Sequence, residues 1–178
     1  DRLRSRGLGD VYKRQVLEKE GTVSENYRGY CANGEEKPLA KGEAKAYLAG
    51  LQEFLGKIPA DDAGRLLLFG EQLYLMPEHM PATRRLHVLR PGLHLGTVKK
   101  NRLEPAHALA LAISPQEACH SWNLSVDEAR AYLAGQTFPA EGEKGWYLIT
   151  VDGYSLGWGK LAGSVMKNHY PKGLRKLL

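Results

Sequence analysis

Short apolar runs, separated by glycine, proline and polar residues, occupy most of this chain. Between residues 39 and 58 the apolar positions follow helical spacing, which predicts an amphipathic helix. Runs over residues 65–69 and 72–76 predict a β-hairpin, and residues 86–89 and 93–98 predict two more strands with a proline-glycine turn between them. This half of the chain therefore combines one helix with several short strands.

The following segment predicts two further helices. An alanine- and leucine-rich run over residues 106–113 follows Pro105, and an apolar composition on every side predicts a buried helix. Ser125 and Glu128 have the spacing of a capping box, so another helix should begin there and end near Gly135.

The C-terminal part predicts a hairpin within a small barrel. Residues 146–151 and 154–160 are apolar runs on either side of Asp152-Gly153, a dipeptide that suits a two-residue turn with positive φ at both positions. Short strands, isolated helices and many glycines predict an α+β fold whose C-terminal end is a partly closed β-barrel.

The N-terminal residues fit none of these patterns. Residues 1–15 resemble translated adapter sequence, so we expect a non-native tail with few contacts to the rest of the chain. A native basic arm is the alternative interpretation. Residues 16–64 are predicted to be a polar linker followed by the amphipathic helix.

Charge is sorted along the chain. Residues 84–102 hold six cations and residues 153–178 hold five, and neither block contains an acid. The net charge of the whole chain is +5, of which the two blocks contribute +6 and +5 and residues 1–15 contribute +3, so all other residues together carry −9. Acid-free basic blocks on an acidic body favour a surface that binds a polyanion such as RNA. The alternative is that each block is only a solvated face.

The cysteines and hydropathy exclude several classes of protein. Cys31 and Cys119 provide neither a disulfide framework nor metal-ligand spacing, and His87, His94 and His107 lack ligand spacing too. No apolar run approaches membrane-spanning length. We therefore expect a soluble cytoplasmic protein with no metal and no membrane partner.

Two segments resemble a known family. Residues 145–160 read Gly-Trp-Tyr-Leu-Ile-Thr-Val-Asp-Gly-Tyr-Ser-Leu-Gly-Trp-Gly-Lys, and residues 167–175 read Lys-Asn-His-Tyr-Pro-Lys-Gly-Leu-Arg. This is similar to the C-terminal PUA-like domain of RsmF-type small-subunit rRNA methyltransferases, members of the Nop/Sun family of S-adenosylmethionine-dependent RNA cytosine-C5 methyltransferases. Residues 92–112, which begin Gly-Leu-His-Leu-Gly-Thr-Val-Lys-Lys-Asn-Arg, resemble the other C-terminal domain of that family.

The resemblance implies two small domains and an RNA partner. Residues 65–117 would form the intermediate C-terminal domain, and residues 118–178 a PUA-like RNA-binding barrel with a capping helix. The implied RNA is small-subunit rRNA. In the full-length family, S-adenosylmethionine is the cofactor, and a methyltransferase domain precedes these two domains in the same chain.

The chain departs from the family in its catalytic motifs. Family members use two cysteines in Pro-Cys or Thr-Cys contexts beside a glycine-rich site for the methyl donor. Cys31 and Cys119 stand in neither context, and no glycine-rich nucleotide loop follows a strand. We therefore expect no catalytic residue, no cofactor and no methyl transfer in this chain alone. Two alternatives stay open: a freestanding PUA-like adaptor that binds RNA or ribosomal subunits, and a small hydrolase that uses Cys119.

The residues that we expect to contact RNA offer cations, an amide, an imidazole and ring faces within the two basic blocks. They are Trp158, Lys160, Lys167, Asn168, His169, Tyr170, Lys172 and Arg175 in the C-terminal block, and Lys99, Lys100 and Arg102 in the other. We expect the cations of the C-terminal block to share one exposed face, and those of the other block to lie where they can track the same strand.

Some of these residues have a second interpretation. Trp158 lies between glycines that would let a base approach for stacking, but it could equally be a core residue of a small barrel. Tyr170 could pack inward on a basic C-terminal turn. Lys99, Lys100 and Arg102 precede the helix after Pro105, and the backbone N–H groups at the N-terminus of that helix could donate hydrogen bonds to a phosphate.

Overall fold

The computed structural model describes residues 39, 41–56, 65–77, 88, 90–100 and 102–175 of the 178-residue chain. Within these ranges the strands form two sheets, one of four strands and one of five. The predicted tail, Cys31 and most of the predicted strand over residues 86–89 lie outside the described residues. None of the helices that are described is long and apolar enough to cross a membrane.

The first sheet is antiparallel, with its strands in chain order. Its strands are β1 (Leu66–Phe69), β2 (Gln72–Leu75), β3 (Leu93–Lys99) and β4 (Arg102–Pro105). The predicted hairpin of β1 and β2 and the strand β3 are confirmed. Strand β4 was not predicted, because Glu104-Pro105 also fits the start of a helix. Pro105 can end this edge strand because its missing N–H leaves no ladder bond unmade.

Helix α1 (Lys41–Leu51) packs against this sheet and ends earlier than its spacing predicts. The chain turns after Leu51, and Leu55 forms an isolated bridge with Ala118. Phe54 and Leu55 nevertheless remain buried. The helical spacing of apolar residues therefore extends beyond the end of α1, because the turn that follows the helix also buries its apolar side chains.

Helix α2 (His107–Ala112) lies between the two sheets, against β3 and the long strand β8 (Tyr154–Ala162) of the second sheet. Its Leu109 and Ala110 are buried, but Leu111 is 58% exposed. The prediction of a helix buried on every side is therefore wrong, because the side of α2 that carries Leu111 faces away from both sheets.

The second sheet has the order β5-β7-β8-β9-β6, with only the β5–β7 pair parallel. Its other strands are β5 (Ser121–Leu124), β6 (Phe138–Pro139), β7 (Gly145–Val151) and β9 (Val165–Asn168). Asp152 and Gly153 join β7 to β8 with φ of +49° and +82°, which confirms the predicted turn.

Helix α3 (Val126–Leu133) packs on the second sheet against β5 and β7. Ser125 and Glu128 form the predicted capping box, and Gly135 follows the helix with φ of +92°. The α+β class is confirmed, as is a C-terminal domain built as a curled, partly closed barrel with a capping helix.

Strand β7 is buried on both faces. Trp146 and Leu148 belong to a cluster that also contains Phe54, which follows α1, and Leu109 of α2. On the opposite face, Ile149 packs in a cluster with residues of α3. The two sheets therefore share one continuous core at β7, which holds their surface residues in a defined arrangement.

Candidate nucleic-acid interface

Three neighbouring strands place Trp146, Lys160 and Lys167 in one row. Lys160 on β8 lies opposite Trp146 on β7 and opposite Lys167 on β9. Directly opposed residues of antiparallel strands project from the same face of a sheet. The Nζ of Lys160 lies 4.8 Å from the centre of the Trp146 ring, so a cation–π contact holds it there. Lys167 is exposed at the end of the row.

His169 follows β9 and joins this row. Its backbone N–H donates to the Trp158 carbonyl at 3.1 Å, which continues the pairing beyond the strand. Its ring centre lies 4.5 Å from that of Trp146, at an interplanar angle of 66°. His169 and Lys160 therefore contact the same buried indole, although the histidine residue itself is exposed.

The β3–β4 hairpin brings the second basic block to the same region. Lys99 lies opposite Arg102 in the ladder, and Glu104 is two residues further along β4 on the same face. The Nζ of Lys99 is 2.7 Å from one Glu104 oxygen, and Nη2 of Arg102 is 3.2 Å from the other. The hydrogen bond from Lys99, followed by the charges of Lys99, Arg102 and His169, lowers the pKa of Glu104. This carboxylate therefore stays ionised between two cations.

The electrostatics of His169 show that the two blocks converge. Although the residue as a whole is exposed, desolvation of its partly buried ring lowers the pKa of the imidazole most. The positive charges of Lys160, Lys167 and Lys99 lower this pKa further, whereas Glu104 opposes them. Cations from both sheets thus act on one imidazole. We call this group of residues, Lys99, Arg102, Glu104, Lys160, Lys167 and His169, the cationic junction.

Trp158 is not part of an accessible surface. It is 2% exposed, and its Nε1–H donates to the Ala106 carbonyl at 2.9 Å. The Phe54 ring packs edge-on against it at 5.7 Å. The core interpretation of Trp158 therefore applies in place of base stacking, because the side chain is almost fully buried and its polar atom is paired within the fold.

Asn168 is also committed to the fold. Its Nδ2 donates to the Tyr132 carbonyl at 2.7 Å and to the Gln136 carbonyl at 2.9 Å. Its Oδ1 accepts the backbone N–H of Tyr170 at 2.8 Å. These bonds satisfy both amide hydrogens and tie the C-terminal segment to the end of α3, so Asn168 has a structural role here, and its RNA contact stays a prediction.

Tyr170 and Arg175 complete that attachment. The Tyr170 ring lies between His107 and Tyr132, with ring centres at 5.2 and 5.6 Å. Arg175 donates from Nε and Nη2 to the Tyr170 carbonyl at 3.3 and 3.2 Å, and its side chain covers Gly135. The inward interpretation of Tyr170 therefore applies, and Arg175 does not share a face with Lys160 and Lys167. Tyr170 also packs on His107, the first residue of α2. This is the helix end that was expected to donate N–H groups to a phosphate.

Lys172 and Lys100 are exposed but lie outside the row. Lys172 begins a short 3₁₀ helix (Lys172–Leu174) beyond the anchored segment. Lys100 occupies the β3–β4 turn with φ of +51°. Together with Arg102 it lines a groove of about 260 Å³ beside α1, whose wall includes Tyr47 and Leu103. These two lysines are therefore not part of the cationic junction.

Sequence reasoning missed two parts of this site. It treated Trp146 only as a strand residue, although the indole is the platform for Lys160 and His169. It also did not pair Glu104 with any cation, whereas Glu104 pairs with two cations of the hairpin. The available signal was that Lys99 and Arg102 flank a tight turn and that Glu104 stands two residues beyond Arg102.

Family models match most of the described chain. Residues 51–113 match the model described as the RsmF rRNA methyltransferase first C-terminal domain, and residues 119–176 match the methyltransferase RsmF PUA domain. The chain belongs to the RsmF rRNA methyltransferase family. Of the cationic junction, Lys99, Arg102 and Glu104 lie in the first RsmF domain, and the other three residues lie in the PUA domain.

Relatives within the RsmF family are longer than this chain. Ribosomal RNA small subunit methyltransferase F of Aeromonas hydrophila is 27% identical over 140 residues, which is 77% of this chain and 29% of the relative. The proteins of the same name from Vibrio atlanticus and Vibrio cholerae are 24% and 27% identical over 144 and 128 residues, covering 30% and 27% of those relatives. The chain therefore spans less than a third of the relatives it matches.

Proposed function

We propose that this chain is the RNA-binding part of an RsmF-type rRNA cytosine-C5 methyltransferase. In this proposal the cationic junction holds small-subunit rRNA while a methyltransferase domain of the same protein reaches the target cytosine. The observation that carries it is the row in which Lys160 lies opposite Lys167 and shares the Trp146 indole with His169, while Lys99 and Glu104 of the other domain act on the same imidazole. Each phosphate contact needs a cation, and only Glu104 competes for cations in the described junction.

The one described cysteine supports a binding role rather than a catalytic one. Attack on C6 of a cytosine requires an activated thiolate. Burial raises the pKa of the Cys119 thiol, and its Sγ donates to the Gln52 carbonyl at 3.2 Å. No described cation pairs with this sulfur. We propose that S-adenosylmethionine and the catalytic cysteines belong to the methyltransferase domain of the full-length protein, and that the protein works in the cytoplasm, where its rRNA is.

The proposal is tested by removing two cations of the row and measuring salt dependence. Lys160→Ala with Lys167→Ala should weaken the binding of every RNA sequence to a similar degree, since phosphates carry no sequence information. The slope of log K against log salt should flatten by about 0.7–0.9 for each phosphate that is no longer neutralised. Fluorescence anisotropy with labelled fragments of small-subunit rRNA at several salt concentrations measures both quantities.

A matched control removes the same charge elsewhere. Lys45 on α1 and Arg130 on α3 are both exposed, and neither belongs to the cationic junction. Lys45→Ala with Arg130→Ala should keep most of the affinity and the parent slope. Equal losses in the two double variants would contradict the proposed surface, because affinity would then follow net charge alone.

A further inference from the structure

We propose that the cationic junction binds one RNA phosphodiester at the His169 side chain, and that the imidazole takes up a proton as the phosphate binds. This inference rests on the proposed function and names the group of the RNA that its central residue contacts. It assigns to His169 a role that the lysines cannot have, since only the imidazole changes its charge near neutral pH.

The geometry places the imidazole where both domains can contribute to one anion. The indole of Trp146 contacts the His169 ring in an edge-to-face arrangement, at 4.5 Å between ring centres. Lys160 contacts the same indole, and Lys167 is its direct neighbour across β8 and β9. A phosphate that contacts His169 is therefore also beside two exposed or half-exposed ammonium groups.

The charged groups facing His169 come from four strands. Lys99 lies on β3, Glu104 on β4, Lys160 on β8 and Lys167 on β9. Arg102, also on β4, reaches the same carboxylate. Without RNA, burial and three ammonium groups favour the neutral imidazole, and Glu104 alone favours the charged form. A bound phosphate reverses this balance, because it neutralises the ammonium groups and places a negative charge beside the ring.

The sign of the pH dependence follows from this balance. If the complex holds one more proton than the free protein, RNA affinity increases as pH falls through the neutral range. A single proton changes the affinity by at most about tenfold per pH unit. We expect a labelled single-stranded oligouridylate to bind about three- to tenfold more tightly at about pH 6 than at about pH 8, at constant ionic strength.

The experiment uses the whole chain and two histidine variants. His169→Gln keeps a polar side chain that does not titrate, so most of the pH dependence of the dissociation constant should disappear. His120→Gln is the matched control, because His120 is a half-buried histidine stacked on Tyr147 and near Glu143, outside the cationic junction. It should keep the pH dependence of the parent. Calorimetry in two buffers with different ionisation enthalpies counts the protons taken up.

A spectroscopic arm identifies the group that titrates. The imidazole resonances of His169, followed against pH with and without inorganic phosphate, should show a pKa raised by phosphate and raised further by the oligouridylate. Persistence of the full pH dependence in His169→Gln, or no change in the His169 titration with the oligouridylate, would overturn the inference. Salt-dependent binding without any pH dependence would also overturn it while leaving the proposed function intact. A chain that binds no RNA at all would overturn both.

Discussion

Replacing Trp158 by Phe distinguishes the two roles that the sequence allowed for this residue, a core position and a surface that stacks on an RNA base. The change removes the hydrogen bond from Nε1 to the Ala106 carbonyl and leaves a gap beside Phe54. The carbonyl keeps weaker contacts with the N–H groups of Leu109 and Ala110, so removal of the indole bond should cost about 1 kcal/mol. The smaller ring in a 2%-exposed site should cost about 1–2 kcal/mol more.

The free energy of unfolding should therefore fall by about 2–3 kcal/mol, which lowers Tm by about 4–12 °C for a chain of this size. RNA affinity measured below the transition should not change, since no face of the indole is accessible. Thermal unfolding by circular dichroism and anisotropy with the oligouridylate give the two values. Trp122→Phe is the control, because this half-buried indole lies on β5 and should cost less than about 1 kcal/mol.

The opposite result would refute the reasoning. A variant with the stability of the parent and an RNA affinity weakened by about 1–3 kcal/mol is the signature of an indole that stacks on a base. Trp158 would then be an RNA-binding residue, and the shared core between the two RsmF domains would not depend on it.

Three other predictions follow from individual contacts. Glu104→Gln should strengthen RNA binding by releasing Lys99 and Arg102 from the carboxylate. The free energy of unfolding should change by about 1 kcal/mol or less, because the pairs are partly exposed. Weaker RNA binding in anisotropy would contradict the idea that Glu104 competes with RNA for these cations. Asn168→Ala should lower the free energy of unfolding by about 1–3 kcal/mol, since it leaves two carbonyls and one N–H without the amide, and urea unfolding with no shift in midpoint would rule this out. The chain alone should transfer no methyl group from S-adenosylmethionine to rRNA, and turnover abolished by Cys119→Ala would place catalysis here after all.

Local patterns in the sequence determined the elements whose geometry is itself local. The Asp152-Gly153 turn and the capping box of Ser125 and Glu128 formed as predicted, because each depends on residues no more than three positions apart. The sorting of charge into two acid-free blocks was equally visible. The family resemblance, carried by motifs in both domains, could also be established before any coordinates.

The register of β7 against β8 required the tertiary structure. A regular ladder from the Asp152-Gly153 turn would place Trp146 opposite Gly159, with Lys160 on the other face of the sheet. An irregularity between Ile149 and Thr150 shifts the pairing by one residue, so Lys160 lies opposite Trp146 instead. A one-residue shift reverses which face a side chain occupies. The cationic row exists because of this shift.

The tertiary structure also determines which polar side chains remain accessible to solvent and which are hydrogen-bonded within the fold. From the sequence alone, Lys167, Asn168 and Arg175 are equivalent members of one basic segment. The segment folds back on the end of α3, where Asn168 and Arg175 satisfy backbone groups and cover Gly135, while Lys167 remains exposed. The composition of a segment shows which polar and charged side chains it contains. Which of them remain accessible depends on long-range partners, because buried carbonyls must be paired wherever the fold brings them.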